Sequence, residues 1–98
     1  MQYILAPAAI QDLEELTDYL ADIDLGSAER LLTKFENKCR YLANFPKIGR
    51  AYSYIRSDLR GLPLNGHVIF YRLSNETLEV LRVVRGNRDL EALFDDDN

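Results

Sequence analysis

His67-Val68-Ile69-Phe70-Tyr71-Arg72-Leu73 and Leu78-Glu79-Val80-Leu81-Arg82-Val83-Val84 are two β-rich runs separated by Ser74-Asn75-Glu76-Thr77. Branched and aromatic side chains suit a pleated backbone, and the polar gap is short, so the pair predicts a hairpin with a four-residue loop. With Leu73 opposite Leu78, Arg72 falls opposite Glu79, a favourable cross-strand ion pair. The same register puts Val68, Phe70, Leu81 and Val83 on one face. Ile69, Tyr71, Leu73, Leu78, Val80 and Val84 lie on the other, with His67 and Arg82 among them. Both faces are largely apolar, the pattern of strands covered on two sides.

Upstream, Tyr3-Ile4-Leu5-Ala6 reads as a first strand that ends at Pro7. Proline fits the first helical position, where its missing N–H has no partner to lose. Ile10, Leu13, Leu16, Leu20 and Ile23 then recur every three or four residues, a helical stripe. Asp12, Glu14 and Glu15 suit the positive end of that helix. Asp24-Leu25-Gly26-Ser27 is a break, and Ser27 can cap a second helix. Ala28, Leu31, Leu32, Phe35, Cys39 and Leu42 form its stripe, and Phe45-Pro46 stops it. A short turn predicts that the helices return antiparallel as a hairpin. Glu15, Asp18 and Asp22 line the outside of the first helix, and Arg30, Lys34 and Lys38 that of the second.

Residues 46–66 lack a period; they read as a loop, one strand near Tyr54–Leu59, and a second loop. A short helix from Asp89 to Phe94 precedes an acidic tail, residues 95–98, expected to be flexible. The expectation is therefore an α+β fold in one domain, residues 1–98: an N-terminal strand and a two-helix hairpin packed on a mainly antiparallel four-stranded sheet, with a short C-terminal helix. One helical hairpin can cover only one face of such a sheet. The second apolar face is then either a docking surface for another chain, the expectation preferred here, or is covered by the C-terminal segment.

Hydrophobic residues make up 47% of the 98, enough for a modest core, and this is not the composition of a disordered chain. One cysteine excludes an internal disulfide and a multi-cysteine zinc site. It suits a reducing cytoplasm. No signal peptide and no apolar run long enough to span a bilayer is expected. The net charge of −4 is unevenly spread. Residues 1–24 hold six acids and no base, residues 25–88 all twelve bases against five acids, and residues 89–98 five acids. A basic middle between acidic ends can steer a partner.

No phosphate-cradling glycine loop, metal-ligand spacing or nucleophile elbow is present, and no cofactor is expected. Cys39 falls in an apolar stripe and reads as core. His67, the sole histidine, reads as structural or solvated, and imidazole metal binding needs a second. Arginine remains: Arg60, Arg72, Arg82, Arg85 and Arg88 gather on the sheet and its C-terminal edge, with Tyr71 among them. Their planar forks suit phosphate or carboxylate, and equally cross-strand ion pairs. The acidic chain, with little aromatic–basic interleaving, argues against a stand-alone nucleic-acid binder.

The element order resembles that of the RelE/ParE toxin superfamily. Tyr3-Ile4-Leu5 before an Ala-rich helix start, Asp12-Leu13, Leu42-Ala43, Phe45-Pro46-Lys47-Ile48-Gly49-Arg50 and Leu59-Arg60 carry the likeness. His67-Val68-Ile69-Phe70-Tyr71-Arg72 followed by Leu78-Glu79-Val80-Leu81-Arg82-Val83-Val84-Arg85-Gly86-Asn87-Arg88-Asp89-Leu90 resembles the ParE-like branch most closely. Arg85 stands where that branch commonly has histidine.

The resemblance implies one of two activities. RelE-like members cut messenger RNA on the ribosome, typically with an arginine on the third strand, another after the fourth, and a late tyrosine or histidine. Here those positions fall on Val68, Arg88 and Phe94, so two of the three lack the chemistry for proton transfer and phosphate stabilisation. ParE-like members bind DNA gyrase and trap it on cleaved DNA, without chemistry of their own. A cytoplasmic, non-enzymatic gyrase inhibitor is the expectation, neutralised by a ParD-like antitoxin and reaching operator DNA only through that complex. A ribosome-dependent nuclease and a non-toxic antitoxin-binding module are the alternatives. Arg60, Tyr71, Arg72, Arg82, Arg85, Arg88 and Phe94 are the candidate contacts to target or antitoxin.

Overall fold

The computed structural model describes residues 1–86 and 89–95. Arg88 and most of the acidic tail lie outside the described residues. The chain runs β1 (Gln2–Leu5), α1 (Pro7–Ile23), α2 (Leu25–Asn44), β2 (Arg50–Ala51), β3 (Arg60–Leu64), β4 (His67–Ser74), β5 (Thr77–Arg85) and α3 (Leu90–Leu93). The strands form one sheet in the order β1-β5-β4-β3-β2. β1 lies parallel to β5 and every other pairing is antiparallel. The α+β architecture is the one expected, with five strands in place of four because the two-residue β2 joins the edge.

The expected strand near Tyr54–Leu59 is absent, and β3 begins where it was to end. Gly61 and Pro63 disguise β3, since neither favours a ladder. Pro63 lies beyond the two-residue reach of β2, where no N–H is needed for a further strand. Asn65 and Gly66 then turn the chain with φ of 48° and 82°, a two-residue hairpin with both central residues left-handed. The β4–β5 turn is also two residues, Asn75 and Glu76, with φ of 50° and 62°, because Ser74 pairs with Thr77.

Leu73 faces Leu78 and Arg72 faces Glu79 as expected. The register then slips: Tyr71 faces Val80 but Phe70 faces Arg82, so Leu81 bulges out of the ladder. The slip exchanges the faces of the last two valines. Val83 joins Ile69, Tyr71, Leu78 and Val80 under the helices, and Val84 joins Val68 and Phe70 on the opposite side.

Only Asp24 separates the two helices. Its backbone N–H donates to Leu20 O, closing α1, while its carboxylate accepts from Gly26 N, opening α2. Asp24, not Ser27, is thus the cap, and Ser27 donates its hydroxyl to the same carboxylate. These bonds hold the Asp24 carboxyl below its ordinary range, Ser27 contributing most, then Gly26, then Arg30. Ala9, Leu13, Leu31, Phe35, Cys39 and Leu42 bury the hairpin against the sheet, with Leu16 and Leu20 packed beside them. Ile10, Ile23 and Leu32, assigned to the stripes from sequence, are exposed.

The second sheet face corrects an expectation. Leu59 at 1%, Phe70 at 0%, Val84 at 4% and Phe94 at 6% exposure form a second core, flanked by Tyr52, Ile55, Leu90 and Leu93. The 52–59 loop and the C-terminal segment cover this face, so the chain does not leave it bare for another chain to bury. No helix among the described residues is long and apolar enough to cross a membrane.

Candidate functional site

Among the described residues, the arginines singled out from sequence do not form one rim. Arg82 donates through Nε to Asp12 Oδ2 at 2.8 Å and through a terminal nitrogen to Oδ1 at 3.0 Å, a forked pair bridging β5 to α1. Asp12 Oδ2 also accepts from Val83 N at 2.9 Å, satisfying the edge of β5 just past the bulge, where β1 has ended. Asp12 therefore serves the sheet and not the helix dipole, and no acid lies in the first turn of α1. Arg72 donates Nε to Glu79 Oε1 at 2.9 Å across the ladder. Arg60 donates one terminal nitrogen to Lys47 O at 3.0 Å and Gly49 O at 2.8 Å, pinning the loop before β2.

Tyr71 and Phe94 are internal. The Tyr71 hydroxyl donates to Pro46 O at 2.7 Å and accepts from Gly49 N at 3.0 Å. Burial raises the Tyr71 phenol above its ordinary value, against smaller lowering contributions from the Gly49 N–H and the Arg60 charge. A Cβ on Gly49 would stand 2.5 Å from that hydroxyl, which is why the Pro46-Lys47-Ile48-Gly49 segment needs glycine there. Phe94 meets Phe70 edge-on at 5.5 Å and belongs to the second core. Val68 lies in the same cluster. Cys39 is fully buried, and desolvation pushes its thiol up to about 12, a core residue with no thiolate to offer.

Arg85 is different. It is exposed, and among the described residues no hydrogen bond or ion pair holds it. It faces His67 across the ladder, and the two close one end of a groove of about 510 Å³ between the helical hairpin and the sheet. Leu16, Leu20 and Leu31 give the groove an apolar floor, while Tyr19, Arg30 and Lys34 rise at its sides. Lys34 donates to the neutral Asn65 amide at 2.7 Å, which positions the ammonium without cancelling its charge. Arg30 pairs with Asp24 at 3.2 Å in the open. An adjoining depression of about 500 Å³ shares Leu16, Tyr19, His67 and Arg85, continues along β5 past Val83 and Val84, and carries Asp12 and Glu15 of α1 in its lining, whereas the cations Arg30 and Lys34 belong to the first groove. The arrangement can hold an apolar segment bearing carboxylates. Sequence reasoning passed over Arg30, Lys34 and His67 as ligands; their outward helical and strand-end positions were the available signal. Among the described residues no group of His, Cys, Asp and Glu could hold a metal ion.

A helical hairpin laid on one face of a meander, with β1 returning parallel beside the last strand, is the architecture of the RelE/ParE-like toxins. A solved chain described as the chromosomal ParDE TA system from P. aeruginosa shares it at a TM-score of 0.61. That match covers 87% of this chain and 95% of the other, with 17% identity, and bears on fold alone. The family model for the ParE toxin of the type II toxin–antitoxin system, parDE, matches residues 3–90, and the chain belongs to that family. Toxin ParE1 of Mycobacterium tuberculosis is 36% identical over 92 residues, covering 92% of this chain and 94% of the relative. Toxin ParE3 of Caulobacter vibrioides is 32% identical over 65 residues, or 66% and 65% of the two lengths. The chain is thus the toxin component of a toxin–antitoxin pair, and a cognate antitoxin is its partner.

Proposed function

We propose that this toxin acts in the cytoplasm by binding DNA gyrase and blocking replication, without a reaction of its own. One observation carries the reading over the nuclease alternative. Val68 and Phe94, the positions where RNA-cutting relatives place an arginine and a proton-transferring side chain, are packed together in the second core with Phe70 and Val84. Hydrocarbon fills that place, so neither scissile-phosphate stabilisation nor proton transfer has a donor there. Family membership supports the same reading.

The antitoxin's seat, in this proposal, is the groove closed by Arg85 and His67. A disordered acidic segment with apolar side chains every third or fourth residue would fold onto Leu16, Leu20 and Leu31 while its carboxylates met Lys34 and Arg85. Of the residues named from sequence, Arg85 is then the direct contact among those described. Arg60, Tyr71, Arg72, Arg82 and Phe94 support the fold that presents it. Purified toxin added to gyrase, ATP and supercoiled plasmid should yield linear DNA covalently linked to the enzyme. Intact plasmid, together with messenger cleavage in a ribosome assay, would refute the proposal.

A further inference from the structure

The basic middle of the chain is densest away from the groove. Residues 37–75 hold seven lysines and arginines against a single acid, Asp58. Within that stretch Arg50, Tyr52 and Tyr54 fall at alternate positions, one base followed by two rings. The fold turns the alternation into a platform. Arg50 on β2 and Tyr52 just after it are two residues apart and so share a face. The Arg50 guanidinium lies 5.2 Å from the centre of the Tyr52 ring. Tyr52 is braced from behind, meeting Phe70 edge-on at 5.1 Å, and Phe70 is braced in turn by Phe94. Gly61 leaves room for it: a Cβ there would stand 2.8 Å from the Tyr52 ring. Tyr54 lies 6.0 Å from Tyr52 and is 67% exposed, so its ring is open to solvent beside the braced one.

The cations at this edge keep their charge. Arg60 is anchored by two backbone carbonyls and Arg50 by a ring face, neither of which neutralises a guanidinium, in contrast to the carboxylates that meet Arg72 and Arg82. An exposed ring set against a braced one, beside uncancelled guanidinium charge, is the chemistry that recognises a phosphodiester strand with an unstacked base. We propose that Arg50, Tyr52 and Tyr54 form a contact site for a single nucleic-acid strand, with a base stacked on Tyr54 and a phosphate on Arg50. Arg60, on the opposite side of the same edge, adds to the attracting field. The site is independent of whether gyrase is the target, although the DNA of a cleavage complex would be one source of such a strand.

The test is fluorescence anisotropy at low salt with labelled oligothymidylate and oligouridylate of about 12 nucleotides, in the site-size range of small single-strand binders. The expected result is saturable binding that weakens as salt rises. Tyr54→Ala should lower the affinity about tenfold by removing the stacking surface. Arg50→Gln should lower it several-fold and flatten the salt dependence by the share of one phosphate. Arg40→Ala, which removes the same charge from an exposed site on α2, should leave it unchanged, and circular dichroism should show all variants folded. Preference for either oligomer identifies the source of the strand, and equal affinity supports a site that reads only the shared chemistry. Absence of saturable binding, tighter binding to duplex, or equal losses in the Arg50 and Arg40 variants would overturn the assignment.

Discussion

Arg82 and Arg85 lie three residues apart on one strand, and the fold puts them to opposite uses. Arg82 sits at the bulge, where its fork closes on Asp12 and only 24% of its side chain is exposed. Arg85 stands at the strand's end over an apolar groove, exposed. The difference lies in what the helices bring: the start of α1 delivers a carboxylate beside the bulge, whereas the hairpin's far half delivers leucines, Arg30 and Lys34. On this strand an arginine is therefore a fastener where the fold brings it acceptors, as it does for Arg82, and an available contact where it does not, as at Arg85.

The sharpest way to break that contrast is Asp12→Ala. It removes the forked acceptor of a partly buried guanidinium and leaves Val83 N without its acceptor. Removing one partner from such a pair costs about 3 kcal/mol. In a domain of this size that lowers the melting temperature by more than about 10 °C. Thermal unfolding by circular dichroism measures it, and a loss comparable to that of an exposed pair would mean that Asp12 does not fasten the sheet.

Tyr71→Phe comes next. It removes the hydroxyl that joins Pro46 O and Gly49 N and leaves a buried donor and acceptor unpaired, costing about 2 kcal/mol in urea unfolding. The phenol also sets an alkaline signature. Its raised value means the folded state keeps the proton longer than the unfolded chain does. That part of the stability is present below pH 10 and is lost as pH rises toward the folded-state value. The phenylalanine variant should therefore show a shallower fall in stability above pH 10.

Arg72→Ala tests the fastener role at its weakest. The Arg72–Glu79 pair is about a third exposed on one side, at 34% and 23%, so solvent screens it, and the loss should be about 0.5 kcal/mol. A loss as large as that from Asp12→Ala would erase the distinction between the ladder pair and the helix–sheet pair.

This contrast also marks what a sequence can and cannot reveal. The hydrophobic periods of α1 and α2 and the Leu73–Leu78 register are local patterns, and they were legible. The bulge was not, because nothing in the composition of Leu81 says that it will be skipped, yet it decides which face Val83 and Val84 take. β3 hid behind Gly61 and Pro63, although Asn65-Gly66 is itself a hairpin signal. The seal over the second face came from the aperiodic 52–59 loop and from Phe94, whose packing depends on the finished sheet. For the site, the arginines could be read but their partners could not: Asp12 lies 70 residues from Arg82 in the chain. The groove cations Lys34 and Arg30 looked like ordinary helix surface until His67 and Arg85 came up beside them.

The smallest stability change is expected at Arg85, and there it matters most. Arg85→Ala removes no ion pair found among the described residues, so unfolding should shift by less than about 0.5 kcal/mol. If the groove seats an acidic segment of the antitoxin, the same variant should bind its cognate antitoxin about tenfold more weakly, the worth of one charge-assisted contact at an apolar site. The two measurements separate the roles. Lost affinity with unchanged stability is the behaviour of a contact, whereas loss of both would make Arg85 another fastener. Unchanged affinity would move the antitoxin away from this end of the groove. Lys34→Ala sharpens the result, because its ammonium is positioned by Asn65 on the facing wall. Two contacts to one bound segment should show coupled losses in the double variant, and two unrelated surface charges should show additive ones.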